Sequence, residues 1–232
     1  MAYEDLTPAV PALPFSLWQV LSGPHENFHY VLGCRETREA AVIDPSFNLP
    51  RLFAAVEAAG YRIRTALFTH GHWDHVGGVP EVFDLGVETA VMHETAERLE
   101  VVRAHRDRFR LVPDGEVLRV GTVPVEVLHT PGHQPEAACF LAGTPGGPRA
   151  LFGGDTLFVN GCGRTDFPGG DTEAMFASMA RLRALADDDV ILFPGHHYAR
   201  EPHKPMARMV EENPALATTD RTKFNRLPCL TS

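Results

Sequence analysis

The chain has 232 residues, 44% of them hydrophobic and 22% charged, with a formal net charge of −9. That length can bury a sizeable core in one domain, the composition excludes a disordered chain, and the acidic balance excludes an extended nucleic-acid footprint. No stretch reaches the ~20 apolar residues of a membrane span. The four cysteines, Cys34, Cys139, Cys162 and Cys229, form no C-x-x-C pair and suggest no disulfide framework, so a reducing, cytoplasmic setting is expected.

The opening MAYEDLTPAVPALPF carries acids where a secretory leader needs bases, and residues 1–15 are expected to run over the surface. Short strand-like runs follow, SLWQVL, FHYVLGC and AAVIDP, separated by turn-forming clusters. Residues 49–60 place apolar side chains at helical spacing and end in Gly. TALFT reads as a buried strand, VGGVPEVFDLG as a loop entering a short helix, TAVMH as a strand, and residues 94–109 as a charged amphipathic helix. EVLRV, VPVEVLHT, AACFLA and RALFGG are four more strand candidates. Residues 172–186 predict a helix capped by Thr172, VILFPG a strand, and residues 201–232 a short helical tail with one helix around PMARMVEEN. The order fits sheets packed between outer helices in a single domain over residues 1–232.

Residues 69–75 read T-H-G-H-W-D-H, three imidazoles and a carboxylate directly after an apolar run. A metal site would draw further ligands from other strand ends, and three more runs finish in such a residue: VPVEVLHTPGH in His133, RALFGGD in Asp155 and VILFPGH in His196. Glycine before each ligand lets the backbone turn sharply. His70, His72, Asp74, His75, His133, Asp155 and His196 exceed the four ligands of a closed structural zinc, and none is Cys. Seven nitrogen and oxygen donors suit two adjacent divalent metal ions sharing one carboxylate, zinc first, with iron or manganese also suited.

T-H-G-H-W-D-H, T-P-G-H, G-G-D-T and P-G-H-x-Y, in that order from His70 to Tyr198, resemble the metallo-β-lactamase superfamily. The resemblance implies an α+β fold, an αββα sandwich of two mixed sheets with helices outside. It implies that His70, His72 and His133 hold one ion, that Asp74, His75 and His196 hold the other, and that Asp155 bridges them. It also implies a water or hydroxide between the ions as nucleophile, oriented by Asp74, with Asp44 supporting a ligand loop. Within the superfamily, G-C-G-R after Asp155 resembles glyoxalase II, the hydroxyacylglutathione hydrolases, and the persulfide dioxygenases. In both, residues matching Arg164 and Tyr198 bind a glutathione carboxylate, which suits the planar guanidinium fork. G-H-W-D-H is closer to the hydrolases, while G-R-T-D-F is closer to the dioxygenases, which use one iron on the residues matching His70, His133 and Asp155.

The resemblance therefore implies a binuclear hydrolase of small-molecule thioesters such as S-2-hydroxyacylglutathione. The alternatives are a mononuclear iron persulfide dioxygenase, or a lactonase or β-lactamase on the same fold. Only 36 residues follow His196, short for the helical C-terminal domain of two-domain glyoxalase II, so a short-type enzyme or a thioesterase for another thiol is expected. No nucleic acid or membrane is expected as a partner, and a homo-oligomer is compatible with the sequence. Plainer roles stand beside these. Asp44 before Pro can cap a strand turn, Arg164 can be a loop salt bridge, Tyr198 and Trp73 can be packing residues, and Cys162 can be a small residue in a tight turn.

Overall fold

The computed structural model describes residue 10, residues 12–187 and residues 189–231. Most of the expected N-terminal surface run lies outside the described residues. Where it is described the expectation fails, because Leu13 and Phe15 are buried in the core between the sheets. Leu13 and Phe15 turn inward next to the first strand because burying two large apolar side chains is favourable, while Pro14 between them stays exposed.

Six strands make the first sheet, in spatial order β1 (Ser16–Ser22), β2 (Asn27–Gly33), β3 (Glu39–Ile43), β4 (Arg62–Leu67), β5 (Thr89–His93) and β6 (Phe109–Val112). β1, β2 and β3 pair antiparallel, and β3 to β6 pair parallel. The second sheet contains β7 (Val117–Val120), β8 (Val123–His129), β9 (Ala138–Ala142), β10 (Arg149–Gly154), β13 (Val190–Pro194) and β14 (Lys204–Pro205); a separate hairpin joins β11 (Leu157–Phe158) to β12 (Gly161–Cys162). The spatial order is β14-β13-β10-β9-β8-β7, with only β10 and β13 parallel. Both sheets are thus mixed.

The period-2 geometry of strands sorts their side chains into three cores. Ala41 and Ile43 of β3 face the second sheet, as Phe152 of β10 and Phe193 of β13 face the first. Ala40 and Val42 face outward onto α1 (Leu49–Ala58) and beyond α2 (Trp73–Val76) onto α3 (Val79–Asp84). Between β5 and β6 lies α4 (Glu100–Ala104). Leu151, Val190 and Leu192 face outward onto α5 (Thr172–Arg183) and α6 (Met206–Glu212), followed by α7 (Pro214–Ala217) and α8 (Arg221–Phe224). Strands buried on both faces explain why these runs read as nearly continuous apolar stretches. The architecture is the expected αββα sandwich, and among the described residues no helix is long and apolar enough to cross a membrane.

Three local expectations give way. Residues 94–109 do not form one helix: a 3₁₀ turn at Glu94–Arg98 breaks at Leu99, which is extended, and only α4 follows. The end of that run becomes β6, because the β5 edge offers a full ladder and Phe109 buries in the outer core. The cap of α5 is Asp171, whose carboxylate accepts from Glu173 N (2.8 Å) and Ala174 N (3.0 Å), while Thr172 enters the helix and bonds Thr165 Oγ1 at 2.6 Å. The tail carries three short helices and a closing 3₁₀ turn in place of one helix.

Candidate metal centre

Five strands end at one edge of the sandwich, and each hands over a polar residue. β3 leads to Asp44, β4 to Thr69 and His70, β8 to His133, β10 to Asp155 and β13 to His196. His72 precedes α2, which turns Asp74 and His75 back toward the same point. Gly154 adopts φ 49°, a left-handed conformation natural to glycine. Gly195 has a different reason for being glycine: a Cβ there would lie 2.5 Å from Asp155 Oδ1.

All seven candidate ligands come together. One ligand atom from each of His70, His72, His133 and Asp155 falls within 4.8 Å of the others, and the same holds for Asp74, His75 and His196. Asp155 stands between the groups, with Oδ1 3.3 Å from both His75 Nε2 and His196 Nε2, and Oδ2 3.7 Å from His133 Nε2. Asp74 Oδ2 lies 3.5 Å from His196 Nε2.

The backs of the rings decide where their lone pairs point. His133 Nδ1–H donates to the Arg164 carbonyl at 2.7 Å, and His196 Nδ1–H to the His25 carbonyl at 2.8 Å. His75 Nδ1–H donates to Asp44 Oδ2 at 3.0 Å. The Thr69 hydroxyl donates to the same Oδ2 at 2.7 Å, so it accepts from His70 Nδ1–H at 3.1 Å. Asp44 therefore sets the tautomers of one histidine in each group. It also accepts Thr69 N at 2.8 Å, and it holds this position at φ 48°, an uncommon backbone for a residue with a side chain. The plainer role of a strand-turn cap is too small for it. With Nδ1 so engaged, Nε2 is the nitrogen that each of these four rings turns inward.

That arrangement fits a cation. His72 Nδ1 sits 3.0 Å from both His70 Nε2 and His133 Nε2, and a single proton does not satisfy three converging nitrogens. Nitrogens about 2.0–2.1 Å from a tetrahedral ion stand about 3.3 Å apart, close to this spacing. Asp155 Oδ1 is buried and makes no hydrogen bond among the described residues. The charge balance agrees. Burial opposes ionisation of Asp155, but the His75 and His196 imidazoles outweigh it and hold the carboxyl well below its ordinary range. Burial pushes His70 well down and His72 down to about 4, keeping both neutral. His75 also loses basicity to burial, but Asp155 and Asp44 outweigh that and raise it, so positive charge is favoured between those carboxylates. The residues present thus fit two divalent ions, with imidazole and carboxylate donors throughout.

Sequence reasoning missed the supports. Asn27 Nδ2 donates to both the carbonyl and Oδ2 of Asp74 at 3.1 Å. Gln134 sets its side-chain amide 2.9 Å from His72 Nε2, and Glu136 accepts Gly71 N at 3.0 Å. No signal marks these residues in the sequence except that Gln134 follows the candidate ligand His133. His29, buried against Phe47, is pushed by burial to about 3 and is a neutral core imidazole.

The cluster forms the floor of a pocket of about 670 Å³. Trp73, expected as a packing residue, is 58% exposed and lines it, because α2 is one short turn with its outer face toward the opening. Phe158 and Phe167 line it as well. Tyr198 stacks on His196 with ring centres 4.7 Å apart and remains 49% exposed. Arg164 is at the rim over the Phe167 ring, with its fork bidentate on Asp166 at 2.5 and 2.7 Å.

Residues 27–196 match the family model described as the metallo-beta-lactamase superfamily. A hydroxyacylglutathione hydrolase from Polaromonas sp. is 34% identical over 228 residues, covering 90% of this chain and 83% of that protein. Another, from Nitrosococcus oceani, is 35% identical over 187 residues, covering 78% of this chain and 65% of the relative, which is thus the longer protein. Among solved structures, ETHE1 from Myxococcus xanthus aligns with TM-score 0.77 at 26% identity, over 92% of both chains. TTHA1623, solved in a di-iron-bound form, aligns with TM-score 0.66 at 30% identity, over 85% of this chain and 98% of that one.

Proposed function

The chain belongs to the metallo-β-lactamase superfamily and is a metal-dependent hydrolase, and we propose that it uses two divalent ions to cleave thioesters of a carboxylate-bearing thiol. The observation that carries this reading is Asp155, which faces both ligand groups at the floor of the pocket. In the proposal His70, His72 and His133 would hold one ion and Asp74, His75 and His196 the other, with Asp155 available to both. Zinc is the preferred metal, and the same donors suit iron or manganese. The reading draws support from the hydroxyacylglutathione hydrolases matched by most of this chain.

When bound, the ions supply an acidified water and polarise the thioester carbonyl. The rest falls to the chain. Asp74 Oδ2, held by Asn27, is the acceptor for the attacking water's proton and orients it toward the carbonyl carbon. Trp73, Phe158 and Phe167 exclude solvent from the acyl and sulfur groups. Arg164 exchanges its solvent-exposed Asp166 partner for the carboxylate of the thiol, an exchange made cheap by the small net value of exposed ion pairs. Tyr198 adds a neutral hydroxyl donor, since burial and then the Asp155 and Asp74 charges raise it to about 12.

The test is hydrolysis of S-lactoylglutathione and of acyl thioesters of other thiols. Turnover that disappears in His70→Ala, with the fold retained by circular dichroism, supports the proposal. The competing reading, a mononuclear iron dioxygenase acting on persulfides, draws on the run Gly163-Arg164-Thr165-Asp166-Phe167, of which Gly163, Arg164 and Phe167 line the pocket. Oxygen uptake with glutathione persulfide and no thioester turnover would replace the hydrolase by that enzyme.

A further inference from the structure

Two thiols share one wall of the pocket. Cys162 ends the β11–β12 hairpin and is 2% exposed, while Cys229 is partly exposed on the closing 3₁₀ turn Pro228–Leu230. They are 67 residues apart in sequence, yet their Sγ atoms are 3.6 Å apart. The approach is built by the backbone, because Thr165 N donates to the Leu230 carbonyl at 2.9 Å and ties the last turn to the hairpin. Both residues belong to the pocket lining, and Cys229 is the one of the two that a small molecule entering the site meets.

We propose that Cys162 and Cys229 are a redox modification site, closed to a reversible disulfide by hydroperoxides. The Cys229 thiolate attacks the outer peroxide oxygen, a sulfur–oxygen bond forms, the oxygen–oxygen bond breaks, and the alkoxide takes up a proton to leave as an alcohol. The Cys162 sulfur then displaces hydroxide from the Cys229 sulfenic acid; the sulfur–sulfur bond forms, and the hydroxide leaves as water with the Cys162 proton. In sum, two thiols and one hydroperoxide give a disulfide, an alcohol and water. Two equivalents of a small thiol reverse the change and leave as their own disulfide.

The geometry assigns the order of events. Cys229 is the more exposed sulfur and meets the oxidant first; Cys162, behind it, resolves the sulfenic acid. The contact between the thiols lowers Cys229 to about 6 against its burial, and the same contact together with burial raises Cys162, which agrees with attack by the outer sulfur. Bond formation requires the sulfurs to close from 3.6 Å to about 2.05 Å, a movement shared between a short hairpin and the last described turn. Cys162 lies two residues before Arg164, beside the rim where the substrate's carboxylate is proposed to dock.

The test is independent of turnover. The reduced protein is treated with an equimolar hydroperoxide, free thiols are blocked with a maleimide under denaturing conditions, and the digest is mapped by mass spectrometry. The expected result is an intact mass lower by two hydrogens, a cross-linked peptide pair carrying Cys162 and Cys229, Cys34 and Cys139 still alkylated, and full reversal by dithiothreitol. In Cys162→Ser the expected product is Cys229 sulfenic acid, trapped by dimedone, with no cross-link. Separate sulfinic acids on the two residues in the wild type, a cross-link involving Cys34, or both thiols alkylated after Cys34 has been oxidised would each overturn the proposal.

Discussion

Asp44→Asn tests the claim that one carboxylate sets the tautomers of both ligand groups. Asp44 accepts three hydrogen bonds, from Thr69 N at 2.8 Å on Oδ1, and from the Thr69 hydroxyl at 2.7 Å and His75 Nδ1 at 3.0 Å on Oδ2. An amide places a donor on one of these two positions in either orientation. If it replaces Oδ2, two buried donors meet it; if it replaces Oδ1, one does. Each unsatisfied buried donor costs about 1–3 kcal/mol. The chain can avoid that cost by moving protons: His75 accepts at Nδ1 and carries its proton on Nε2, and the Thr69 hydroxyl turns to His70, whose proton also moves to Nε2. Either shift removes a lone pair from a ligand group. Loss of such a supporting contact lowers metal affinity about 10–100-fold, equivalent to about 1.4–2.8 kcal/mol. Asparagine tolerates the φ of 48° at this position, so the backbone is not the variable. The assay is metal retention against a graded chelator, read by elemental mass spectrometry, with thermal unfolding of the metal-free protein alongside. A variant that holds metal as tightly as the wild type, with an unchanged melting temperature, would refute the reasoning.

Asn213→Ala should destabilise the protein by about 2–4 kcal/mol in chemical denaturation, because the buried amide donates to the carbonyls of Phe158 and Gly161 at 2.8 and 3.0 Å and its oxygen caps α7; a loss below about 1 kcal/mol would contradict that role. Asp166→Ala should release the Arg164 fork and lower KM several-fold for thioesters of carboxylate-bearing thiols but not for neutral ones, whereas Arg164→Ala raises it; equal effects on both substrate classes would remove Arg164 from substrate binding. Tyr198 is raised from 10.0 to about 12, so its neutral form persists where a free phenol ionises. Alkaline difference absorbance of the metal-free protein, taken against Tyr198→Phe, should show this phenol still protonated at pH 10, and ionisation at its ordinary value would contradict the assignment.

The cluster of candidate ligands was legible because such side chains are themselves the chemistry. His, Asp and their glycines sit at strand ends, where even a coarse reading of apolar runs places them. The layers were legible for a related reason: β3, β10 and β13 are buried on both faces and read as plain apolar stretches. What escaped depends on partners distant in sequence. Nothing local says that Asn27 holds Asp74, 47 residues away, or that Asn213 holds the β11–β12 hairpin. β6 was hidden because its sequence continues a helical charge pattern, and only the open edge of β5 makes it a strand. Trp73 reads as a packing residue in the sequence, while the short α2 turns it outward. The Cys162–Cys229 contact joins two thiols with no motif between them. Asp44 could be read two ways in sequence, and only its three hydrogen bonds single out one of them.

The most direct measurement counts metal per chain. The protein is stripped, titrated with zinc and, separately, with ferrous iron under anaerobic conditions, and the bound metal is read by elemental mass spectrometry alongside thioester hydrolysis. Two ions per chain, with hydrolysis rising as the second binds, is the predicted result. Saturation at one iron per chain, with no hydrolysis and with oxygen consumed on a persulfide, would contradict the binuclear hydrolase.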